Sequence, residues 1–154
     1  MRNDFLVLPL DSSLFSSMNH TELEAAKAKW VEVDACPGYP CRVSLEDAKI
    51  GERVLALNYT HHNTDTPYKS SGPIFVRENA VTADTKVNEI PPMLRHRLLS
   101  VRGYSEDGTM LEAEVVEGID LESCIDEVFQ NSCVKYIQIH NAKPGCFNCT
   151  VVRA

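Results

Sequence analysis

The chain has 154 residues, of which 15 are Lys or Arg and 22 are Asp or Glu, and its formal net charge is -7. This length suits one globular domain burying about 70% of the unfolded surface, and a 44% hydrophobic content excludes disorder over the whole chain. The longest apolar run, Phe5 to Leu8, is far shorter than the roughly 18 residues of a membrane span. We therefore expect a single domain over residues 1–154, located in the cytoplasm, with no signal peptide and no membrane partner.

The charge distribution argues against nucleic acid as a partner. A negative protein repels phosphate backbones unless its basic residues are concentrated on one face. Here they are scattered, and the one tight group combines Arg95, His96, Arg97 and Arg102. This group predicts either a salt-bridged surface or a site for one small anion.

The first predicted elements are a strand over residues 5–10 and a short helical turn capped by the residues that follow Asp11. A second helix is predicted to begin at Thr21, where Thr21 and Glu24 fit a capping box, and to carry Trp30 on its apolar face. From residue 31 the hydrophobic period changes to two, which predicts a strand over residues 31–35.

The middle of the chain reads as strands joined by loops. Two prolines and a glycine predict a rigid loop over residues 36–44. Pro91 and Pro92 suit the start of a short helix, and Asp107-Gly108 is typical of a hairpin turn. The strands predicted here cover residues 53–60, 72–77, 98–105 and 110–116.

The last third predicts one amphipathic helix and two closing strands. Asp120 is placed to cap a helix whose apolar residues recur at helical spacing as far as Phe129, and strands are predicted over residues 134–140 and 147–153. The total is about seven or eight strands and three or four short helices, with too little strand–helix alternation for a parallel sheet. The predicted fold class is α+β with a mainly antiparallel sheet.

The six cysteines suggest different roles. Cys124 and Cys133 lie in predicted elements and are interpreted as small core residues. The others form two short-spaced pairs, Cys36 with Cys41 and Cys146 with Cys149. Such pairs are typical of zinc ligands, although the two cysteines of the second pair would lie on opposite faces of a strand. We expect no cofactor, and keep zinc as an alternative.

A second interpretation of the cysteines is a nucleophile beside a base. Cys41 is next to the cation Arg42, and it would act as a catalytic thiol if the fold placed His140 beside it. The alternative is that Cys41 packs under the proline-containing loop. A third hypothesis is that Cys41 and Cys146 cycle between a dithiol and a disulfide.

A further segment is typical of a binding loop. Residues 67–73 combine turn formers, hydroxyl groups and a lysine, which suits a carboxylate or a phosphate. Tyr68, Ser71 and Gly72 are its candidate ligand-binding residues. The segment contains no phosphate-loop or dinucleotide fingerprint.

Five motifs together resemble a known family. They are PGYPCRVSLEDA (37–48), GERVLALNY (51–59), PYKSSGPIFV (67–76), RHRLLSVRGY (95–104) and HNAKPGCF (140–147). In this order they are similar to an uncharacterised bacterial family catalogued as domain of unknown function twelve-oh-three. The resemblance implies no reaction and no cofactor. It places Cys41, Arg42, His140, Asn141 and Cys146 in family-like segments, whereas Cys36 stands where a histidine is more typical.

The leading functional hypothesis is a small polar pocket that binds a small anionic metabolite. Cys41 and His140 are its candidate catalytic residues, and Arg42, Arg97, Arg102 and Asn141 are candidate ligand-binding residues together with the loop residues above. The alternative is a non-enzymatic binding or interaction module, which could form a homodimer. In this alternative the Cys and His residues named above are structural. In that alternative Cys41, His140 and Cys146 would be the metal ligands if zinc were bound.

Overall fold

The computed structural model describes residues 2–154, which form eight strands and four short helices. In chain order the elements are β1 (Phe5–Leu8), α1 (Ser13–Ser16), α2 (His20–Ala25), β2 (Lys29–Glu32), β3 (Arg53–His62), β4 (Ser70–Arg77), α3 (Pro92–Arg95), β5 (Leu98–Tyr104), β6 (Met110–Glu117), a 3₁₀ turn (Gly118–Asp120), α4 (Leu121–Phe129), β7 (Tyr136–Asn141) and β8 (Phe147–Arg153). All paired strands are antiparallel. The predicted α+β class is therefore confirmed.

The strands form two sheets. The larger sheet has the order β1-β8-β7-β5-β6, and the smaller has the order β2-β3-β4. Helix α4 covers one face of the larger sheet, and the apolar side of the helix is buried. Ile125 of α4 belongs to the same core cluster as Val101 of β5 and Ile139 of β7. Because side chains alternate along a strand, the other face of this sheet is left to meet the smaller sheet.

Residues 40–43 connect the two sheets. The backbone of Cys41 forms an isolated parallel β-bridge with Phe75 of β4. The backbone N–H of Arg42 donates to the Phe75 carbonyl at 3.1 Å. A second core cluster contains Cys41, Ile74 and, from the larger sheet, Phe147. The loop that contains two prolines is thus packed between the sheets, and it directs its side chains towards both.

Two local predictions in the first third of the chain are wrong. The capping box forms at Asn19 and Glu22, with Asn19 Oδ1 accepting from the Glu22 N–H at 2.8 Å, and Thr21 lies within α2. Asparagine outranks threonine at a helix cap, which accounts for the difference. Trp30 lies in β2 instead of on a helix, with 49% of its surface exposed and its ring 4.6 Å from the Arg53 guanidinium.

Two further predictions need correction. Cys133 lies in a turn and is exposed, whereas Cys124 is buried as predicted. The 3₁₀ turn precedes α4, and Asp120 makes no side-chain hydrogen bond to the helix. Within residues 2–154, no helix has both the length and the apolar character that crossing a membrane requires.

Candidate functional site

A cleft of about 800 Å³ opens where the two sheets meet. The smaller sheet contributes Pro73 and Phe75 of β4, and the larger sheet contributes Leu98 and the loop between β7 and β8. The polar residues in its lining include Arg42, Arg97, Asn141, Lys143 and Cys146. Residues from near position 40 and from 141–146 therefore line one hollow, although they lie about 100 positions apart in the sequence.

Arg42 is the most buried charged group of the cleft, with only 1% of its surface exposed. Its Nε donates to the carbonyl of Phe147 at 2.7 Å, Nη1 donates to the carbonyl of Pro40, and the guanidinium carbon lies 5.9 Å from the ring centroid of Phe75. None of the ion pairs formed within residues 2–154 involves Arg42. Burial lowers the pKa of Arg42, while the nearby Cys146 and Cys41 thiols act in the opposite direction.

The absence of a carboxylate beside Arg42 matters because a buried charge is costly unless it is paired. The two carbonyl oxygens accept from the guanidinium but carry no net charge. A negatively charged group in the cleft would supply the missing partner, and it would be held by charge-assisted hydrogen bonds.

Arg97, by contrast, is already neutralised. Its two terminal nitrogens donate to the two carboxylate oxygens of Asp47, at 3.1 Å for Nη1 and 2.5 Å for Nη2, and Nη1 also donates to the carbonyl of Met93. His96 contacts the same carboxylate at 3.1 Å. Arg97 thus forms a fixed wall of the cleft and is not a free cation.

Arg102 does not line the cleft. It lies within β5, whereas Arg97 precedes the first residue of that strand. Its Nε donates to Ser100 Oγ at 3.1 Å. The structure therefore does not bring Arg97 and Arg102 together into one anion site, which corrects that part of the sequence hypothesis.

The loop between β7 and β8 holds Asn141 and Cys146 in a fixed relation. The Asn141 N–H donates to the Cys146 carbonyl at 2.9 Å, and the Gly145 N–H donates to the Asn141 carbonyl at 2.8 Å. Gly145 has φ +82°, a backbone conformation that favours glycine. The side chains are linked as well, because Asn141 Nδ2 donates to Cys146 Sγ at 3.3 Å.

The predicted catalytic pair of Cys41 and His140 is not assembled at the cleft. Cys41 is 0% exposed, and its sulfur accepts the backbone N–H groups of Arg77 at 3.3 Å and Ser44 at 3.4 Å. His140 is 1% exposed, and burial lowers its pKa to about 3. Its Nδ1 lies 2.9 Å from the Gly145 carbonyl and Nε2 lies 3.2 Å from Gln138 Oε1, so it is held as part of the interior between the sheets.

The binding loop predicted around residue 70 lies outside the cleft lining, apart from Pro73. Tyr68 is 39% exposed, and its carbonyl lies 2.9 Å from His62 Nδ1. Ser71 is exposed in β4, and Gly72 next to it has open space on the side where a Cβ would lie. The structure does not place these three residues beside Arg42.

The sequence reasoning missed two residues of the cleft and its walls. Lys143 lies exposed at the tip of the loop and lines the cleft, and Asp47 holds Arg97 in place. Both belong to the motifs that carry the family resemblance, and the position of Lys143 between Asn141 and Cys146 was the available signal. In the described part of the chain, no three residues among His, Cys, Asp and Glu are arranged to hold a metal ion.

The fold and the cleft define a class: an α+β protein with two antiparallel sheets that meet at an arginine-containing cleft. The sequence profile of the family described as Protein of unknown function (DUF1203) matches residues 38–153, and the chain belongs to this family. The matched part contains Arg42, Arg97, Asn141, Lys143 and Cys146. A search of curated proteins and a search of solved structures each return no match.

Proposed function

We propose that the cleft binds a small organic anion and that Arg42 is the group that holds its charge. The observation that carries this proposal is a guanidinium 1% exposed, in a cleft, with no carboxylate partner within residues 2–154. Hydrogen bonds to a charged group contribute about 1.5 to 3 kcal/mol each. A ligand carboxylate or phosphate would therefore gain affinity from Arg42 and would neutralise it.

The electrostatics of the cleft favour a small anion, with one or two negative groups, over a polyanion. The chain has a net charge of -7, so a distant field does not attract anions, and recognition depends on local cations. Arg97 is paired with Asp47, which leaves Arg42 and the exposed Lys143 as the cations available to a ligand. Glu117 also lines the cleft and would repel a second negative group placed near it.

Cys41 and His140 support this site from behind in the proposal. Cys41 anchors residues 41–44 against β4 through its sulfur, and Arg42 follows it directly. His140 contacts the carbonyl of Gly145, next to Cys146. Their role is structural, as in the non-enzymatic alternative, whereas the small-anion site comes from the leading hypothesis.

Binding is tested by isothermal titration with succinate and, separately, with inorganic phosphate, at constant ionic strength set with chloride. We expect saturable binding of at least one of the two. Lys143→Ala is expected to weaken it about threefold, since an exposed charge contributes under about 1 kcal/mol. The matched control is Lys86→Ala, which also removes an exposed lysine, one that pairs with Asp84 outside the cleft, and should leave the affinity unchanged.

Arg42→Lys and Arg42→Met provide the second arm of this test. Lysine keeps the positive charge but lacks the guanidinium group that donates to the carbonyls of Phe147 and Pro40. Methionine lacks both the charge and these donors. We expect the affinity to fall at least tenfold in the methionine variant and less in the lysine variant, among molecules shown to be folded by circular dichroism. Saturable binding of neither anion by the unmodified protein, or an equal effect of Lys143→Ala and Lys86→Ala, would contradict the proposal.

A further inference from the structure

We propose that Cys146 is the reactive thiol of this cleft and that it undergoes thiol–disulfide exchange with small disulfides that carry carboxylates. This inference rests on the proposed function, because the same Arg42 that would hold an anion lies beside the Cys146 sulfur. The sequence suggested Cys41 as a nucleophile or Cys41 with Cys146 as a redox pair, whereas this inference assigns the chemistry to Cys146 alone. The observations that support it are the donors around the sulfur, the access from the cleft and the contrast with the other cysteines.

An amide donor bonds the Cys146 sulfur, and a cation lines the same cleft. Asn148 Nδ2 donates to Asn141 Oδ1 at 3.0 Å, and Asn141 Nδ2 donates to Cys146 Sγ at 3.3 Å. The guanidinium of Arg42 lines the same cleft, and among its neighbours Cys146 acts most strongly against the lowering of the Arg42 pKa by burial. An amide donor and a cation around one sulfur is an environment typical of reactive cysteines.

The direction of this hydrogen-bond chain is fixed by the packing. Asn148 is 0% exposed, and its Oδ1 has no hydrogen-bond partner within residues 2–154. Turning both amides over would make Asn141 accept from the thiol, but it would bury the two N–H groups of Asn148 without an acceptor. Leaving one carbonyl oxygen unpaired costs less than leaving an amino group unpaired. The sulfur of Cys146 is therefore the acceptor at the end of the chain.

Cys146 is also the cysteine that combines access with such donors. It is half-buried and lines the cleft, whereas Cys41 and Cys149 are sealed in the interior. Burial raises the pKa of Cys149 to about 12 and that of Cys124 to about 11, which keeps both as thiols. The remaining two, Cys36 and Cys133, are exposed and serve as references within the same molecule.

The exchange is a balanced two-electron substitution. Cys146 loses its proton to solvent, and its thiolate sulfur attacks one sulfur of the disulfide while a carboxylate of the same reagent is held by Arg42. The S–S bond of the reagent breaks as the new protein–reagent S–S bond forms. The departing thiolate takes up a proton, so that one protein thiol and one disulfide give one mixed disulfide and one small thiol.

The test compares two disulfides that differ in charge. Dithiodiglycolate carries two carboxylates, and 2-hydroxyethyl disulfide is neutral and of similar size. Mixed-disulfide formation at Cys146, Cys36 and Cys133 is followed over time by quantitative peptide mass spectrometry. The measured quantity is the ratio of the exchange rate at Cys146 to the exchange rate at Cys36. We expect this ratio to be at least tenfold higher with the anionic reagent than with the neutral one.

Variants assign the charge effect. Lys143→Ala should lower the ratio for the anionic reagent more than the ratio for the neutral reagent, and Lys86→Ala should change neither. Circular dichroism reports that each variant remains folded, and the exposed Cys36 and Cys133 supply the reference rates. A ratio for dithiodiglycolate no higher than that for the neutral reagent overturns the role of Cys146. If succinate or phosphate still binds in that case, the anion site stands and the thiol chemistry fails, whereas binding of neither anion overturns both proposals.

Discussion

Gly118→Ala is expected to cost at least about 4 kcal/mol of unfolding free energy or to prevent folding. An alanine Cβ at this position would lie 1.8 Å from the carbonyl oxygen of Leu94 and 2.8 Å from the carbonyl carbon of Arg95. These are backbone atoms, which cannot turn aside as a flexible side chain would. The Gly118 N–H also donates to the Arg97 carbonyl at 2.8 Å, so the clash would break the contact that joins the 3₁₀ turn to the segment between α3 and β5. Urea denaturation followed by circular dichroism measures the loss.

Gly72→Ala is the matched control for this prediction. A Cβ at Gly72 would meet no atom within 4 Å, and the backbone there is not in the left-handed region. We expect a change within about 0.5 kcal/mol, or a small gain from the less flexible unfolded chain. Equal stability of the two variants would show that the 3₁₀ turn does not approach Leu94 as closely as described.

His140 is expected to make the folded protein less stable as the pH falls below about 6.5. Burial lowers its pKa from 6.5 to about 3, so the unfolded chain takes up a proton at a pH where the folded chain does not. The free energy of unfolding is therefore not reduced by this group above pH 6.5, the pKa of His140 in the unfolded chain. Below that pH it falls by about 1.4 kcal/mol per pH unit, until the pH approaches the folded-state pKa of about 3. Between pH 7.5 and pH 5.0 this amounts to about 2 kcal/mol, which urea midpoints at the two pH values would detect.

His140→Gln isolates this contribution from that of His61, whose pKa is also lowered, first by burial. The glutamine variant should be less stable at pH 7.5, but its midpoint should fall less between the two pH values. His20→Gln is the control, because the side chain of His20 is 94% exposed and should leave the pH dependence unchanged. Parallel pH profiles for the unmodified protein and His140→Gln would contradict the assignment.

Periodicity predicted most of the strands because a half-buried strand repeats every two residues. The hairpin formed by β5 and β6 was predicted from the Asp107-Gly108 turn, and the structure pairs these strands in that way. The start of α2 is not decided by the sequence pattern alone, because Asn19 with Glu22 and Thr21 with Glu24 both have the spacing of a capping box. The choice between them depends on cap preference and on where Trp30 packs, which is a property of the tertiary structure.

The segments of the candidate site were predicted from the sequence, but only some of its side chains were. Arg42, Asn141 and Cys146 were found from the motifs, and they do line one cleft. Cys41 and His140 are the immediate neighbours of Arg42 and Asn141, and in each pair only the second side chain lines the cleft. Without knowing which side of each segment faces the interior, the sequence could not decide between neighbours. Pairing between segments about 100 positions apart is likewise not encoded locally.

The position of the cleft at the seam of two sheets has a mechanical consequence. Its walls come from β4 on one side and from β5 and the loop before β8 on the other. An anion bound to Arg42 would bridge these walls and act as a clamp between them, because Arg42 itself already connects β4 with Phe147. Anion binding and the association of the two sheets are then coupled, so that a molecule with bound anion resists separation of its sheets more strongly than one without.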